Sequence, residues 1–127
     1  MKHTYTKHYT RDEARALLPQ IRLWLQRLNE LRQQLEKMDK RLSSLMSGGD
    51  DVGGEQVNRW VRLMADMQKL LVEFQRRQIM VKDLERGLID FPAIVGGREV
   101  FLCWEQDDED VEFWHDLDSG YAGRERL

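Results

Sequence analysis

Ser47-Gly48-Gly49-Asp50-Asp51-Val52-Gly53-Gly54 divides two apolar stripes of the same period, and that division decides the fold. Its four glycines raise the entropic cost of helical order, and two adjacent acids oppose the negative end of a helix dipole. On the N-terminal side, Ala14, Leu17, Ile21, Trp24, Leu28, Leu31, Leu35, Met38, Leu42 and Leu45 recur in steps of three and four, the spacing of a heptad seam. On the C-terminal side, Val57, Trp60, Met64, Met67, Leu71, Phe74, Gln78 and Val81 keep the same period, and Leu84 and Leu88 continue it. Two matched helices joined by a short loop fold back as an antiparallel pair, with residues 47–54 as a flexible tip. The tip lacks the Gly-Lys-Ser/Thr ending of a phosphate-binding loop, which leaves a nucleotide site without support.

The spacing predicts helices over about Arg11–Met46 and Glu55–Arg86. Thr10-Arg11-Asp12-Glu13 has the form of a capping box and starts the first. Leu18 and Leu25 widen its stripe where it meets the sheet, and Pro19 predicts a kink or break near Leu18. Glu36 with Lys40 and Glu73 with Arg77 stand in the favourable acid-to-base order. Gln78, the one polar member of the second stripe, is expected where the seam turns outward rather than bonded across it. Met38, Met64, Met67 and Met80 read as core filler.

From Leu88 the period changes to two. Ile89, Phe91, Ala93 and Val95 alternate along one strand, Gly96-Gly97 supplies a hairpin turn, and Val100, Leu102 and Trp104 alternate along the next. After the loop Gln106-Asp107-Asp108-Glu109, a third strand carries Val111, Phe113, His115 and Leu117. Pairing Val95 with Arg98 and Glu105 with Asp110 puts His115 on the face that covers the helices, with Ile89, Phe91, Leu102 and Trp104. The opposite face receives Pro92, Ile94, Phe101, Cys103 and Trp114 among Asp90, Glu99, Glu112 and Asp116. It is too apolar for plain exposure, so the N-terminal segment, the tail around Tyr121 or another subunit is expected to cover it.

The expectation is an α+β fold: a long antiparallel, coiled-coil-like two-helix hairpin followed by a small antiparallel three-stranded β-meander, to which the N-terminal segment could add a strand. At 127 residues one domain is expected, with an extended segment 1–10, the hairpin 11–86, the meander 88–118 and a tail 119–127. The lone Cys103 excludes an intramolecular disulfide, and Met1-Lys2-His3-Thr4-Tyr5-Thr6 has no secretory apolar stretch, so a cytoplasmic protein is expected. No apolar run approaches the roughly 20 residues of a membrane-spanning helix. Residues 1–87 hold 17 of the 20 Lys and Arg but 12 of the 23 Asp and Glu, so the remainder is strongly acidic. Internal attraction and solubility account for this asymmetry.

The C-terminal segment concentrates reactive groups. His115, Asp116, Asp118 and Arg124 are candidate ligand-binding residues, with His115 and Asp118 as a candidate divalent metal pair. Alternation sends His115 and Asp116 to opposite faces, so convergence needs a bend near Leu117-Asp118-Ser119-Gly120. The structural alternative, preferred, gives His115 a partner at the helix ends, Asp118 an Asx turn and Arg124 a carboxylate. His3 and His8, five apart in an extended segment, are expected to point opposite ways. Asp107-Asp108-Glu109-Asp110 lacks the EF-hand pattern, and acids interleave the bases of both helices, which makes nucleic acid an unfavoured partner. No nucleophile stands beside a base.

Tyr9-Thr10-Arg11-Asp12-Glu13-Ala14-Arg15-Ala16-Leu17-Leu18-Pro19, Lys82-Asp83-Leu84-Glu85-Arg86-Gly87-Leu88-Ile89-Asp90-Phe91-Pro92-Ala93, Val100-Phe101-Leu102-Cys103-Trp104 and Phe113-Trp114-His115-Asp116-Leu117-Asp118-Ser119-Gly120-Tyr121-Ala122-Gly123-Arg124 together resemble the uncharacterised prokaryotic family known as domain of unknown function 2203. The resemblance spans nearly the whole chain and implies kinship without an activity or catalytic residues. Function is therefore expected from the residues themselves. The leading expectation is a non-enzymatic, self-associating scaffold, a homodimer or a partner of another protein, using Trp24, Trp60, Phe101 and Trp114 and needing no cofactor. The alternatives are a metal- or anion-binding protein using the C-terminal segment and, more weakly, nucleic-acid association through the basic helices.

Overall fold

The computed structural model describes residues 2–49 and 53–127. Part of the expected flexible tip, residues 50–52, lies outside the described residues. The fold is α+β. Helices α1 (Arg11–Ser47) and α2 (Gly54–Arg76) precede strands β1 (Met80–Asp83), β2 (Leu88–Val95), β3 (Arg98–Trp104), β4 (Phe113–Asp116) and β5 (Glu125–Arg126), with a short 3-10 turn at Tyr121–Gly123. The strands form one antiparallel sheet in chain order. No described helix is long and apolar enough to cross a membrane.

The capping box forms as the sequence requires: the Glu13 amide donates to Thr10 Oγ1 at 3.1 Å, and the Thr10 amide donates to Glu13 Oε1 at 3.1 Å. From there α1 runs unbroken for 37 residues, roughly 55 Å, with Pro19 inside it. Of the kink or break expected near Leu18, the break is absent. Pro19 and Arg15, whose carbonyl loses its helical partner, both face solvent, where water can take the bond.

Burial along α1 follows Ala14, Leu18, Ile21, Leu25 and Leu28 and then shifts to Leu31 and Leu35. Leu17 and Trp24, expected in the seam, lie half-buried on its flank. The shift has a geometric cause, since the first half of α1 covers the sheet and the second half meets α2. On α2 the inward residues are Trp60, Leu63, Met67, Leu70 and Phe74, in perfect steps of three and four. Trp60 Nε1 donates to Asp39 Oδ1 at 2.9 Å, and Trp24 meets Phe74 edge-on at 5.3 Å, so the pair is antiparallel. Val57 and Met64, counted in the seam by sequence spacing, are exposed on the other side.

The second helix ends ten residues earlier than its stripe suggests. Gln78 adopts φ +57, and its amide bonds Gln75 O at 3.0 Å while the Ile79 amide bonds Phe74 O at 3.0 Å. This is a Schellman stop, closed by apolar contact between buried Phe74 and Ile79. Gln78 is thus a cap rather than a seam residue, and Oε1 of its side chain accepts from the Thr6 and Lys7 amides at 3.0 and 2.8 Å. Residues 80–83 then form β1, which corrects the helix expected to reach Arg86. The meander therefore grows from three strands to five by additions at 80–83 and 125–126, not from the N-terminal segment.

Gly96 and Gly97 have φ of +59 and +76, the two positive values of a type I′ hairpin, and Val95 pairs Arg98 as expected. The next register differs by one residue. Phe101 pairs His115 and Leu102 pairs Trp114, because the loop after Trp104 folds back on itself with the Asp108 amide on Glu105 O and Trp104 Nε1 on Asp108 O. A one-residue slip exchanges faces. Trp114 consequently joins the inner face with Ile89, Phe91, Leu102 and Trp104, while Phe113 and His115 move to the outer face with Asp90, Phe101 and Cys103.

The acidic loop engages the basic helix. Arg15 pairs with Asp110 at 2.7 Å, Arg22 donates to Gln106 O and Asp108 O at 3.0 Å, and Arg86 pairs with Glu105 at 2.7 Å. Part of the charge asymmetry is thereby matched within the chain. Glu73 pairs with Arg77 at 2.8 Å, whereas Glu36 pairs with Arg32 at 2.8 Å instead of Lys40, and Arg32 also reaches Glu85 at 3.4 Å.

Candidate functional site

The outer sheet face gathers three titratable side chains: Asp90 and Cys103, which the sequence alternation already places together, and His115, which it assigns to the other face. Asp90 on β2 stands opposite Cys103 on β3, and His115 on β4 stands opposite Phe101, two residues along β3 on the same face. All three are buried, with exposures of 2%, 0% and 3% for Asp90, Cys103 and His115. Their potential ligand atoms lie within 4.8 Å of one another.

His115 Nδ1 lies 2.8 Å from Asp116 O, and Nε2 lies 3.0 and 3.1 Å from Asp90 Oδ1 and Oδ2. A carbonyl can only accept, so Nδ1 carries a hydrogen. Nε2 then either donates to an Asp90 carboxylate or accepts from a protonated Asp90. In both forms one proton lies between the pair, and the pair is neutral overall. Burial raises the Asp90 pKa, opposed by the charge and hydrogen bond of His115. Burial also pushes the Cys103 thiol up to about 12, so as a free thiol it stays protonated and is a poor nucleophile.

The three residues line a cavity of about 150 Å³ whose wall also includes Lys82, Phe101, Ser119 and Tyr121. At about 30 Å³ per water this holds roughly five waters, and it falls below the roughly 300 Å³ of ordinary organic-ligand pockets. Its scale suits an ion with water or a small anion. Tyr5 packs on Phe101 with ring centroids 5.5 Å apart and Tyr121 lines the cavity wall, so residues of the N-terminal segment and of the tail cover part of this face.

Glu99 anchors that segment by accepting from the Thr4 and Tyr5 amides at 2.8 and 3.0 Å and by contacting His8 Nε2 at 2.7 Å. Burial acts to raise its pKa, but the bonds from His8, Thr4 and Tyr5 prevail and bring it down to about 2. Wrapping around Glu99 bends the segment, so His3 and His8 meet edge-on at 5.0 Å rather than pointing apart.

The four C-terminal candidates do not converge. Asp116 forms an ion pair with Arg98. Asp118 is exposed, and the turn beside it is closed by the Ser119 amide on Asp116 O at 3.2 Å rather than by an Asx turn. Arg124 pairs with Asp108 at 3.2 Å and lies over the rings of Phe113 and Tyr121 at 3.8 and 4.2 Å, where the carboxylate partner expected for it is found. His115 alone enters the buried cluster, and its partner is Asp90 rather than a helix end. Asp90 was detectable as the one acid inside the apolar run 88–95, but the register slip concealed its relation to His115.

Of the self-association candidates, Trp24 and Trp60 contact the hairpin partner, Trp114 packs on the core and Phe101 lies beneath Tyr5. A different surface is open: Val57, Val61 and Met64 on α2 are 43%, 52% and 44% exposed. Toward the sheet this stripe reaches an open apolar groove of about 410 Å³ that includes Leu71, Phe74 and Val81 beside the edge strand β1.

Residues 7–127 match the family model described as "Uncharacterized conserved protein (DUF2203)". The chain belongs to the DUF2203 family. No curated protein and no solved structure matches it. Membership thus comes with no transferable activity, and the function of this DUF2203 protein has to be argued from its own surfaces.

Proposed function

We propose that this DUF2203 protein is a non-enzymatic, self-associating interaction module, a cytoplasmic homodimer assembled through the outward face of α2. The observation that carries this reading is a second apolar stripe on one helix. Trp60, Leu63, Met67, Leu70 and Phe74 serve the intrachain seam, while Val57, Val61 and Met64 repeat the same spacing toward solvent. Ala65, Gln68, Leu71, Val72 and Gln75 extend that face, and none of these eight positions is charged in a chain that is 34% charged.

A second copy is the occupant that this chemistry fits. An isologous contact places residues near the two-fold axis against their own copies, where like charges would repel. The outward stripe carries none. Its three-and-four spacing matches another helix of the same spacing, and a second hairpin supplies one at equal concentration, closing a four-helix arrangement. The lone buried thiol suits a reducing compartment.

Sedimentation equilibrium of the wild type and of Val61→Glu and Met64→Glu tests the proposal. The wild type is expected at twice 15.2 kDa, and each variant at 15.2 kDa with unchanged helical content. A wild type monomeric up to millimolar concentration, or variants that remain dimeric, would overturn it.

A further inference from the structure

We infer that Asp90, Cys103 and His115 bind one zinc(II) ion, with the fourth coordination position open to the cavity they line. The inference does not depend on self-association. A thiolate, an imidazole nitrogen and a carboxylate oxygen form the mixed donor set that zinc accepts, whereas magnesium and calcium require oxygen ligands. Three protein ligands beside a small cavity also leave one position for water or an anion.

The geometry is close to that required. Zinc bonds of about 2.0–2.3 Å place tetrahedral ligand atoms roughly 3.3–3.7 Å apart. The three ligand atoms already lie within 4.8 Å of one another, and His115 Nε2 is 3.0 Å from Asp90 Oδ1. The histidine is also oriented from behind. Its Nδ1–H donates to Asp116 O at 2.8 Å, which fixes the tautomer that presents Nε2 to an ion.

Charge balance favours the exchange in a buried place. Without metal, Asp90 and His115 share one proton and the Cys103 thiol holds another. Zinc displaces both protons to solvent and meets one carboxylate, one thiolate and one neutral imidazole. The cluster is neutral before and after, so binding does not bury a net charge. Lys82 also lines the cavity, which favours a water-derived hydroxide or a small anion such as a carboxylate at the fourth position.

Cobalt(II) titration of the full chain, purified without a histidine tag and stripped with chelator, reads the site directly. One equivalent of cobalt is expected to give a thiolate-to-cobalt charge-transfer band and the intense visible bands of tetrahedral cobalt, and zinc should displace it. Cys103→Ser should abolish the charge-transfer band, and His115→Gln should weaken binding by at least about tenfold. Asp118→Ala and His8→Ala should bind as the wild type does, which separates the cluster from the surface group His3, His8 and Glu99. Folded wild type that gives no band with excess cobalt overturns the inference without reliance on any variant. A band that survives Cys103→Ser, or is lost in His8→Ala, overturns it equally.

Discussion

His115 Nε2 lies 3.0 Å from Asp90 Oδ1, although β4 and β2 are separated by β3 and the two side chains must reach over it to meet. With both residues buried, removing one strands the other without its partner. Asp90→Ala is predicted to cost about 3–5 kcal/mol in urea unfolding with chelator present. Replacing both residues together, as Asp90→Ala with His115→Ala, should cost less than the sum of the Asp90→Ala and His115→Ala losses. Strictly additive losses in this double-mutant cycle would show that the pair is not coupled.

Asp118 offers a contrasting case in the turn that follows β4. It is exposed, and the neighbouring turn is closed by the Ser119 amide on Asp116 O. Asp118→Ala should shift stability by less than about 0.5 kcal/mol. A loss of about 1 kcal/mol or more would restore it as a turn cap.

Gly87 sets the approach of the β1–β2 turn to the acidic loop. Its φ is +63, and a Cβ there would lie 2.8 Å from Gln106 Cβ and Oε1. Gly97 has a similar φ of +76 but open space around it. Gly97→Ala should therefore cost about 1 kcal/mol through backbone strain alone, and Gly87→Ala more, about 2–3 kcal/mol. Equal melting temperatures for the two variants would contradict this ordering.

Acid should release the N-terminal segment before the helices melt. The folded pKa of Glu99, about 2, lies below the ordinary carboxylate value, so its contribution is complete above that ordinary value and disappears as pH falls toward about 2. Hydrogen exchange at the Thr4 and Tyr5 amides, corrected for intrinsic rates, should accelerate over that interval. Glu99→Gln should remove the pH-dependent part of their protection, and an unchanged profile in that variant would assign the effect elsewhere.

The helical hairpin was legible because heptad spacing records burial over many residues, and the Gly96-Gly97 turn because two positive φ values need glycine. The end of α2 was not, since Gln78 sits in the left-handed region where glycine is the usual signal. The two stripes of α2 merged in sequence because Val57 and Trp60, or Met64 and Met67, are each three apart whether they face one partner or two. The site was lost to a single residue of register: the folded loop 105–110 shifts β4 against β3, and His115 exchanges the core face for the face of Asp90 and Cys103. Loop conformation, which periodicity does not encode, decided that step.

The measurement that tests self-association through α2 most directly is disulfide trapping with cysteines placed singly around that helix under mild oxidation. Cross-linked dimer is predicted to peak at Val61→Cys and Met64→Cys and to be absent at Arg62→Cys and Lys69→Cys, following the outward stripe. No cross-linking at Val61, Met64 or Gln68, or equal yields all around the helix, would contradict the account.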